Sequence, residues 1–461
     1  MTSDASLPTR PGRLDELELI DDADRRARSY IEGIGSRRVF PDSAAVDELR
    51  AFREPLPVEG HDARSTLRLL DEKGSAGAVE SNGGRYFGFV TGATLPVAAA
   101  ADRMALAWDN SGSSFAGSPA AATIEEVAGA WLLEILDLPR SSAVGFTTSA
   151  SAGTVIALSA ARRAILAAQN WDVDRAGLGG SPNVRIVASE LAHAVAVKAL
   201  RLLGFGLDNV EWVPVDDHGR IDVLQLPALD ASTILILQAG EVNSGEFDPF
   251  AELIDRAEAA GAWVHIDGAF GLWARASKHR QLTAGVERAD SWTVDGHKWL
   301  NTPYDSAMVI LRDPEALVGA MKSDAVYLSP SFDAQRNRTL EFSRRARGIP
   351  VWAALRTLGR VGVADLVERT MHLADRVAEG LRDAGYDVLN RVVLNQVLVS
   401  TDDPDQTRRI TEAAQASGET WFGQTVWKGR SAFRISVSSW RTTEDDVDAL
   451  LLLLGSLRQA D

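Results

Sequence analysis

Cysteine is absent from the 461-residue sequence. Its absence excludes disulfide scaffolds, thiolate nucleophiles and cysteine-ligated zinc or iron–sulfur centres. Long hydrophobic runs are also missing: residues 449–454 form the most apolar run, far short of the roughly 20 residues of a membrane helix. No basic segment followed by an apolar run opens the chain, so we predict no signal peptide and a soluble, cytoplasmic protein.

Positive charge is in short supply. Lysine and arginine total 48 against 64 for aspartate and glutamate, which gives a formal net charge of −16. Nucleic acids and anionic membranes bind concentrated lysine and arginine, so we expect neither as a partner. With 45% hydrophobic and 24% charged residues, the composition excludes disorder of the whole chain.

The length predicts about three domains at roughly 150 residues each. Residues 1–75 are polar and predict an N-terminal helical arm or cap that cannot fold alone. Residues 76–330, where apolar stretches are broken by glycine and proline, predict a large domain. Residues 331–461 predict a smaller C-terminal domain of α+β type.

Short apolar runs alternate with helical patterns in the predicted large domain. Most of these runs lack a period of two, which is typical of strands covered on both faces. The alternation predicts an α/β fold with a mainly parallel sheet flanked by helices and a site at the carboxyl ends of its strands. The predicted strands are 144–148, 184–189, 211–215, 233–238, 262–267, 291–294 and 307–311, followed by 392–400 and 432–437 in the C-terminal domain.

Helices are predicted over 14–30, 123–138, 151–169, 192–203, 363–384 and 406–416, and from residue 443 onward. Thr123 and Glu126 have the spacing of a capping box, and Pro139 follows the predicted end of that helix.

Lys298 lies just beyond a predicted strand, between His297 and Trp299. In a partly desolvated pocket a lysine amine loses its proton readily and can form a Schiff base with a carbonyl. A lone lysine in a loop is usually a solvated surface residue, so the interpretation depends on the other residues of the site.

Asp267 ends an apolar strand, where its carboxylate would be largely buried and would need a cation or several donors. A helix N-cap and a metal ligand are alternative roles. His265 lies two residues earlier on the same face of the strand, but no third ligand is evident nearby, so we predict no metal site.

Ser149, Ala150 and Ser151 follow a predicted strand and open a helix. Free backbone N–H groups and the helix dipole favour an anion there, and a phosphate is the natural occupant. A plain N-cap is the alternative. His193 opens another helix, where a structural role is the alternative to a functional one.

A phosphate-binding turn, a histidine, a buried aspartate and a Schiff-base lysine together describe a pyridoxal 5′-phosphate site. The chain resembles the group II pyridoxal-phosphate-dependent decarboxylases, the family of aromatic amino acid, glutamate and histidine decarboxylases. Residues 295–299 (Asp-Gly-His-Lys-Trp) resemble the lysine signature of that family, and the similarity extends over about residues 30–455. The resemblance implies fold type I of the pyridoxal-phosphate-dependent transferases, a homodimer with active sites at the interface, and removal of the α-carboxylate of an L-amino acid.

The resemblance also implies residue roles. Lys298 would bind the cofactor covalently and later exchange it for the substrate amine. Asp267 would keep the pyridine nitrogen protonated, so that the ring accepts the electrons left when Cα loses CO₂. His193 would stack on the ring, and His297 is the third candidate catalytic residue. The other implied cofactor contacts are Ser149, Ala150 and Ser151 at the phosphate, Asp295 and His297 close to it, Ala269 beneath the ring, and Asn243 at the ring.

One departure from the family concerns the reaction. Relatives carry a mobile loop whose tyrosine reprotonates Cα, but no tyrosine lies between Ser329 and Glu341 and the loop is short. His193, His297 and Tyr327 are alternative proton donors. Because loss of that tyrosine can accompany aldehyde formation in this family, oxidative deamination to an aldehyde, aminotransfer and C–C lyase action remain alternatives, as does a catalytically silent scaffold.

The substrate is predicted from a few residues. Phe87, Phe89, Val90 and Trp108 suggest an apolar pocket wall and an aromatic or bulky apolar substrate. Filling of the core is the alternative role of these side chains. Arg85 or Arg434 facing an acidic substrate is a further alternative.

Overall fold

A computed structural model describes residues 13–322 and 334–460. Within these ranges the helices are α1 (Arg13–Glu32), α2 (Ser43–Glu48), α3 (Ala63–Leu69), α4 (Pro96–Trp108), α5 (Pro119–Ile135), α6 (Ala150–Ala168), α7 (Val173–Ala176), α8 (Ala194–Leu202), α9 (Phe250–Ala260), α10 (Pro314–Met321), α11 (Gly348–Asp383), α12 (Pro404–Ser417) and α13 (Glu444–Ala460). The strands are β1 (Ala143–Thr147), β2 (Arg185–Ser189), β3 (Val210–Val213), β4 (Thr233–Gln238), β5 (Trp263–Asp267), β6 (Ser291–Asp295), β7 (Ala307–Leu311), β8 (Asp387–Val388), β9 (Gln396–Ser400), β10 (Gly423–Trp427) and β11 (Arg430–Ser436).

The first seven strands form one sheet in the order β1-β7-β6-β5-β4-β2-β3. The pairs from β6 through β5, β4 and β2 to β3 are parallel, whereas β7 runs antiparallel to both of its neighbours. The predicted α/β class with a mainly parallel sheet is confirmed. Each of the seven predicted strands is present, with ends that differ by at most two residues.

Helices cover both faces of this sheet, which explains the unbroken apolar runs. Every residue of β1, β4, β6 and β7 is buried. On one face, α6 and α8 pack on β2 and β4; on the other, α5 and α9 pack on β4, β5 and β6. Helix α6 is long and apolar enough to span a membrane by length and composition alone, but most of its apolar residues pack against the sheet.

Two helix starts differ from prediction. Helix α5 is capped by Ser118, whose Oγ accepts a hydrogen bond from Ala121 N at 3.2 Å, so the capping box predicted at Thr123 is wrong. Helix α11 begins at Gly348, well before the predicted residue 363. Gly359 interrupts this helix with φ 58° and ψ −172°, where φ is in the left-handed region. The interruption divides the helical periodicity of the sequence into two shorter patterns.

The remaining strands form a second, antiparallel sheet in the order β10-β11-β9-β8. Its apolar side chains share a core with α11, α12 and α13. The sequence prediction missed β10, where exposed and partly buried residues alternate, and began β9 four residues too early. The predicted domain boundary at residue 330 lies outside the described residues.

Candidate active site

The carboxyl ends of the parallel strands bring the predicted site residues together. Asp267 ends β5, and the register places it between Gln238 of β4 and Thr293 of β6. Residues paired in register share a face of the sheet, so Asp295, two residues after Thr293, lies on that same face. The site is therefore at the strand ends, as predicted.

Lys298 follows β6 and is partly buried. Its Nζ lies 3.0 Å from Oδ2 of Asp295. The other carboxylate oxygen of Asp295 accepts a hydrogen bond from Ala150 N, the first residue of α6, at 2.7 Å. One buried carboxylate thus joins the lysine to the helix N-terminus that was predicted to bind phosphate. Because Ala150 N already donates to Asp295, the partly exposed hydroxyl residues Ser149 and Ser151 are the remaining predicted anion contacts.

The carboxylate of Asp267 is buried but has spare acceptor capacity. Its residue is 7% exposed, and Ala269 N donates to Oδ1 at 3.2 Å. The flanking residues also have unused hydrogen-bonding atoms: Nε2 of Gln238 and Oγ1 of Thr293 are buried and have no partner among the described residues. The predicted location of Asp267 at a buried strand end is correct. Buried polar atoms normally have hydrogen-bond partners, so the unpaired atoms beside Asp267 indicate a ligand-binding position.

His193 is the N-cap of α8. Its Nδ1 accepts from Val195 N at 3.3 Å, and its own backbone N–H donates to Oε1 of Gln238 at 3.1 Å. In the neutral ring the hydrogen is therefore on Nε2. Burial lowers the pKa of His193, while the negative charge of Asp267 opposes this shift and the positive charges of Lys298 and Arg434 add to it. His193 is thus a neutral imidazole within electrostatic reach of the whole site.

His297 is buried beside the lysine. Its Nδ1 accepts from Ser306 N at 3.3 Å, and its Nε2 is 3.8 Å from Asp295. Tyr304 stacks on the imidazole at 4.4 Å between ring centroids. Burial lowers the pKa of His297, and Asp295 opposes the shift. This geometry places His297 beside Asp295, whose carboxylate also contacts the first residue of α6.

Ala269 and Asn243 are partly buried. Ala269 O accepts from Asp295 N at 2.9 Å, so this residue ties the end of β5 to the end of β6. The side chain of Asn243 donates to Glu241 at 3.1 Å and accepts from Thr425 of β10 at 2.9 Å. Both of its polar atoms therefore have protein partners, and Asn243 links the two sheets.

Three supporting residues were missed by the sequence prediction. Gln238 holds the backbone of His193, as described above. The side chain of Asn301, at φ 57°, donates to the carbonyl oxygens of Lys298 and Ser438 at 3.2 and 3.0 Å. At Gly92 a Cβ would lie 1.9 Å from the carbonyl oxygen of Lys298, so only glycine fits. The glycine was visible in the sequence, but the chain segment it contacts was not.

Two of the four residues of the predicted apolar wall, Phe87 and Val90, are core residues. Phe87 is in the core of the small sheet, Val90 is in the core of the large one, and Trp108 ends α4. Phe89 is 63% exposed and stacks on Trp421, with 5.4 Å between ring centroids.

Two further contacts extend this aromatic surface. Tyr86 stacks on the same indole at 5.3 Å, and a Cβ at Gly88 would lie 2.1 Å from the Trp421 ring. Tyr86, Trp421 and Phe89 therefore form one stacked aromatic surface, the aromatic wall.

The two arginines considered for substrate binding differ. Arg85 donates to the carbonyl oxygens of Gly35, Arg37 and Glu419, so it fastens the N-terminal segment, and the alternative that placed it in a substrate site is wrong. Arg434 donates to the carbonyl oxygens of Val242 and Phe89 at 2.6 and 3.0 Å, and its buried Nε has no partner within 13–322 and 334–460. Burial lowers the pKa of Arg434 to about 10, so it remains a cation beside the site.

Two predictions cannot be followed in the structure. Tyr327 and the first part of the segment between Ser329 and Glu341 lie outside the described residues.

Among the described residues no group of three His, Asp or Glu side chains has a metal-binding arrangement.

The residues present fit pyridoxal 5′-phosphate. A buried carboxylate with spare acceptor capacity suits a protonated ring nitrogen, and the helix start with Ser149 and Ser151 suits a phosphate. The Lys298 amine lies 3.0 Å from Asp295, whose other oxygen accepts from the first residue of that helix. The fold and this site together define a fold-type-I pyridoxal-phosphate enzyme.

Comparison with known proteins agrees. Residues 81–399 match the pyridoxal-dependent decarboxylase conserved domain, and the chain belongs to this family of pyridoxal-phosphate-dependent amino acid decarboxylases. It is 30% identical over 385 residues to L-2,4-diaminobutyrate decarboxylase of Rhizobium meliloti (strain 1021), which covers 78% of this chain and 74% of the relative. Aromatic-L-amino-acid decarboxylase of Bacillus atrophaeus is 26% identical over 431 residues and 88% of each chain. A crystal structure of Oryza sativa TDC with PLP and tryptamine superposes with a TM-score of 0.91 at 23% identity, over 98% of this chain and 99% of that one.

Proposed function

We propose that the protein decarboxylates an L-amino acid with an aromatic side chain and releases the amine and CO₂. The observation that carries this proposal is the placement of Lys298 beside Asp295 at the strand ends, with Asp267 in the same row of buried residues. The aromatic wall of Tyr86, Trp421 and Phe89 supports the choice of side chain.

Bound pyridoxal 5′-phosphate supplies an aldehyde that condenses with amines and a ring that accepts the electron pair of a broken Cα bond. Lys298 would hold the aldehyde carbon of the cofactor through its Nζ. Asp295 lies 3.0 Å from that Nζ and steadies it while Lys298 is protonated. Asp267 holds the proton on the ring nitrogen. His193 and His297 remain neutral, and the free Nε2–H of His193 donates hydrogen bonds within the site.

Arg434 is the proposed anchor for the substrate carboxylate. It is a cation within electrostatic reach of His193, and its guanidinium is already fixed by two backbone carbonyl groups. One of these carbonyls belongs to Phe89, so the same arginine positions the residue that would contact the substrate side chain. Phe89 has a φ of 53°, and this strained conformation is held by the hydrogen bond from Arg434 and a second from Ser436 Oγ. Arg434 therefore links the proposed recognition of the substrate carboxylate to that of the substrate side chain.

The experiment is a substrate panel with product analysis. The purified protein is loaded with pyridoxal 5′-phosphate and offered each common L-amino acid and L-2,4-diaminobutyrate, while CO₂ and the organic product are measured. We expect CO₂ and amine from tryptophan, tyrosine or phenylalanine, at a kcat/KM at least about tenfold above that for any aliphatic substrate. Lys298→Ala abolishes the reaction and the visible absorbance of the bound cofactor.

Lys278→Ala, at an exposed lysine paired with Glu368, is the matched control and retains both. A preference for diaminobutyrate would overturn the aromatic assignment, and CO₂ release from no amino acid would overturn the decarboxylase itself.

Aldehyde formation is the second candidate, favoured by the absence of tyrosine between Ser329 and Glu341. Amine formation needs a proton at Cα. The aldehyde route instead consumes one O₂ and one water and releases CO₂, ammonia and hydrogen peroxide with the aldehyde. Peroxide produced in a 1:1 ratio with CO₂ would select this route, and amine without peroxide would exclude it.

We also propose a homodimer in the cytoplasm. The N-terminal arm exposes Phe52, Leu56 and Val58, and α4 exposes Met104 and Leu106. Exposed large apolar side chains grouped on a surface are typical of an interface. Light scattering of the loaded protein should give twice the mass of the 49.6 kDa chain. A fully loaded, active monomer would contradict the proposal.

A further inference from the structure

The face of the sheet that carries Asp267 also carries a buried histidine one pleat below it. His265 lies two residues before Asp267 on β5, so both side chains are on the same face. The register pairs His265 with Ser291 and Asp267 with Thr293, which extends this polar group onto β6. His265, Ser291 and Thr293 are all 0% exposed. A row of polar side chains therefore continues from the site into the interior.

The hydrogen bonds at Ser291 favour one tautomer of His265. Trp263 Nε1 donates to Ser291 Oγ at 3.0 Å, and the same oxygen lies 2.9 Å from His265 Nδ1. Since the serine oxygen accepts from the indole, its hydroxyl hydrogen is available for Nδ1. When the hydroxyl donates to Nδ1, the ring hydrogen of neutral His265 is on Nε2, the nitrogen on the other side of the ring.

Nε2 of His265 has no hydrogen-bond partner in the described part of the chain, nor do Thr293 Oγ1 and Gln238 Nε2. Thr293 and Gln238 flank Asp267 in register, and His265 lies below it. Three unpaired buried polar atoms thus surround one carboxylate. A buried polar atom without a partner destabilises the fold, so their grouping around Asp267 calls for a reason beyond packing.

We propose that His265 is a positioning residue for Asp267. Its Nε2–H donates through one buried water to the Asp267 carboxylate, which keeps that carboxylate ionised and oriented toward the ring nitrogen of the bound cofactor. This role depends on the cofactor and not on which amino acid is the substrate.

The electrostatics and packing agree with a neutral donor. Burial lowers the pKa of His265 to about 4, and the charge of Asp267 opposes the shift. At neutral pH the imidazole is therefore uncharged, and a neutral N–H donor favours the ionised form of a carboxylate. Helix α6 closes this region from bulk solvent, because a Cβ at Gly153 would lie 2.9 Å from Cγ2 of Thr293.

The test compares two amide substitutions. The side-chain nitrogen of His265→Gln takes approximately the place of Nε2, whereas His265→Asn reaches only the place of Nδ1. The readouts are the dissociation constant of pyridoxal 5′-phosphate and the ¹⁵N chemical shift of its labelled ring nitrogen in the loaded protein. We expect His265→Asn to weaken cofactor binding about tenfold, the effect of one hydrogen bond to a charged group, and to move the shift toward that of unprotonated pyridine. His265→Gln should restore both.

Ser291→Ala is the second variant, and it leaves His265 in place while removing the hydroxyl that selects its tautomer. We expect a smaller change in the same direction, and this variant decides the question if both amide variants fail to fold. The proposal is overturned if the ¹⁵N shift is unchanged in correctly folded His265→Asn or Ser291→Ala. It is equally overturned if both amide variants lose cofactor affinity only in proportion to their loss of thermal stability.

Discussion

Two buried aspartates on neighbouring parts of the large sheet have opposite surroundings. Asp248 follows β4 and is 4% exposed; its two oxygens accept hydrogen bonds from Ile221 N and Gln238 N at 2.8 and 2.7 Å. Asp267 ends β5, is 7% exposed, and accepts from Ala269 N at 3.2 Å. The first carboxylate has good donors on both oxygens, and the second does not.

The difference separates a structural role from a chemical one. Asp248 closes the chain segment after β4 by satisfying two buried backbone N–H groups, and burial raises its pKa to about 6 despite those two bonds. Asp267 is surrounded by unpaired polar atoms at the place where the cofactor ring nitrogen fits. We infer that, in this chain, unmet hydrogen-bonding capacity around a buried carboxylate marks the site better than burial alone.

The largest expected effect is on catalysis at Asp267. Asp267→Asn keeps the shape and the acceptor for Ala269 N but cannot hold the ring nitrogen protonated. We expect kcat to fall by about 10³-fold, the scale of one preorganised electrostatic group, with a melting temperature of the apoprotein near that of the wild type. A loss of kcat of tenfold or less would contradict the contrast between the two aspartates, because Asp267 would then have a structural role like that of Asp248.

The next effect is on stability at Asp248. Asp248→Ala leaves the buried N–H groups of Ile221 and Gln238 without acceptors, which costs about 2–5 kcal/mol of unfolding free energy. Denaturant unfolding of the apoprotein measures it, with Asp267→Ala as the matched control at about 1 kcal/mol or less. Equal losses in the two variants would contradict the assigned roles.

A smaller effect concerns the dependence of the unfolding free energy on pH that the ionisation of Asp248 causes. Its folded pKa of about 6 lies above the ordinary value of 3.8, so the folded chain holds a proton between these values that the unfolded chain has lost. Raising the pH from 4 through 6 therefore destabilises the wild type relative to Asp248→Asn, by roughly 2–3 kcal/mol in total. Unfolding free energies at pH 4, 5, 6 and 7 measure the trend, and a constant difference would show that Asp248 titrates normally.

The smallest effect is expected at Glu80, which lies away from the site. It tests whether unmet hydrogen-bonding capacity around a buried carboxylate marks a functional residue elsewhere in the chain. Its Oε1 is buried without a partner among the described residues, and burial raises its pKa to about 7 against the opposing charges of Arg85, Arg441 and Arg37. Glu80→Gln should raise stability at pH 8 relative to pH 5 by about 1–2 kcal/mol, which is the full value of the shift discounted for solvent screening of this partly solvated group. Its kcat should stay at the wild-type value; a large loss would mean that unpaired buried carboxylates act in catalysis beyond the strand ends.

Much of the fold was predictable because its strands are buried on both faces. Unbroken apolar runs such as β4 and β7 stand out in the sequence, and both were predicted to the residue. Strand β10 was missed because it lies at a sheet edge, where its residues alternate between partly buried and exposed. The early start of α11 was missed because the break at Gly359 divides its periodicity.

The site residues that could be predicted are those that a local sequence pattern identifies. Asp267 and the segment 295–298 are readable because each follows its own strand. The contacts of Gln238 with His193, of Gly92 with Lys298, and of Trp421 with Phe89 join segments far apart in the chain, so no local pattern reveals them. Arg85 and Arg434 looked equivalent in the sequence, and only their partners distinguish a structural arginine from a site arginine.

The most direct test is to locate the lysine that binds the cofactor. The chain has six lysines, at positions 73, 198, 278, 298, 322 and 428. Borohydride reduction of the loaded protein, followed by peptide mass mapping, fixes the cofactor on the lysine that forms the Schiff base. The account predicts a single pyridoxyl group on Lys298. Stoichiometric labelling of any other lysine, or full cofactor occupancy with none on Lys298, would contradict it.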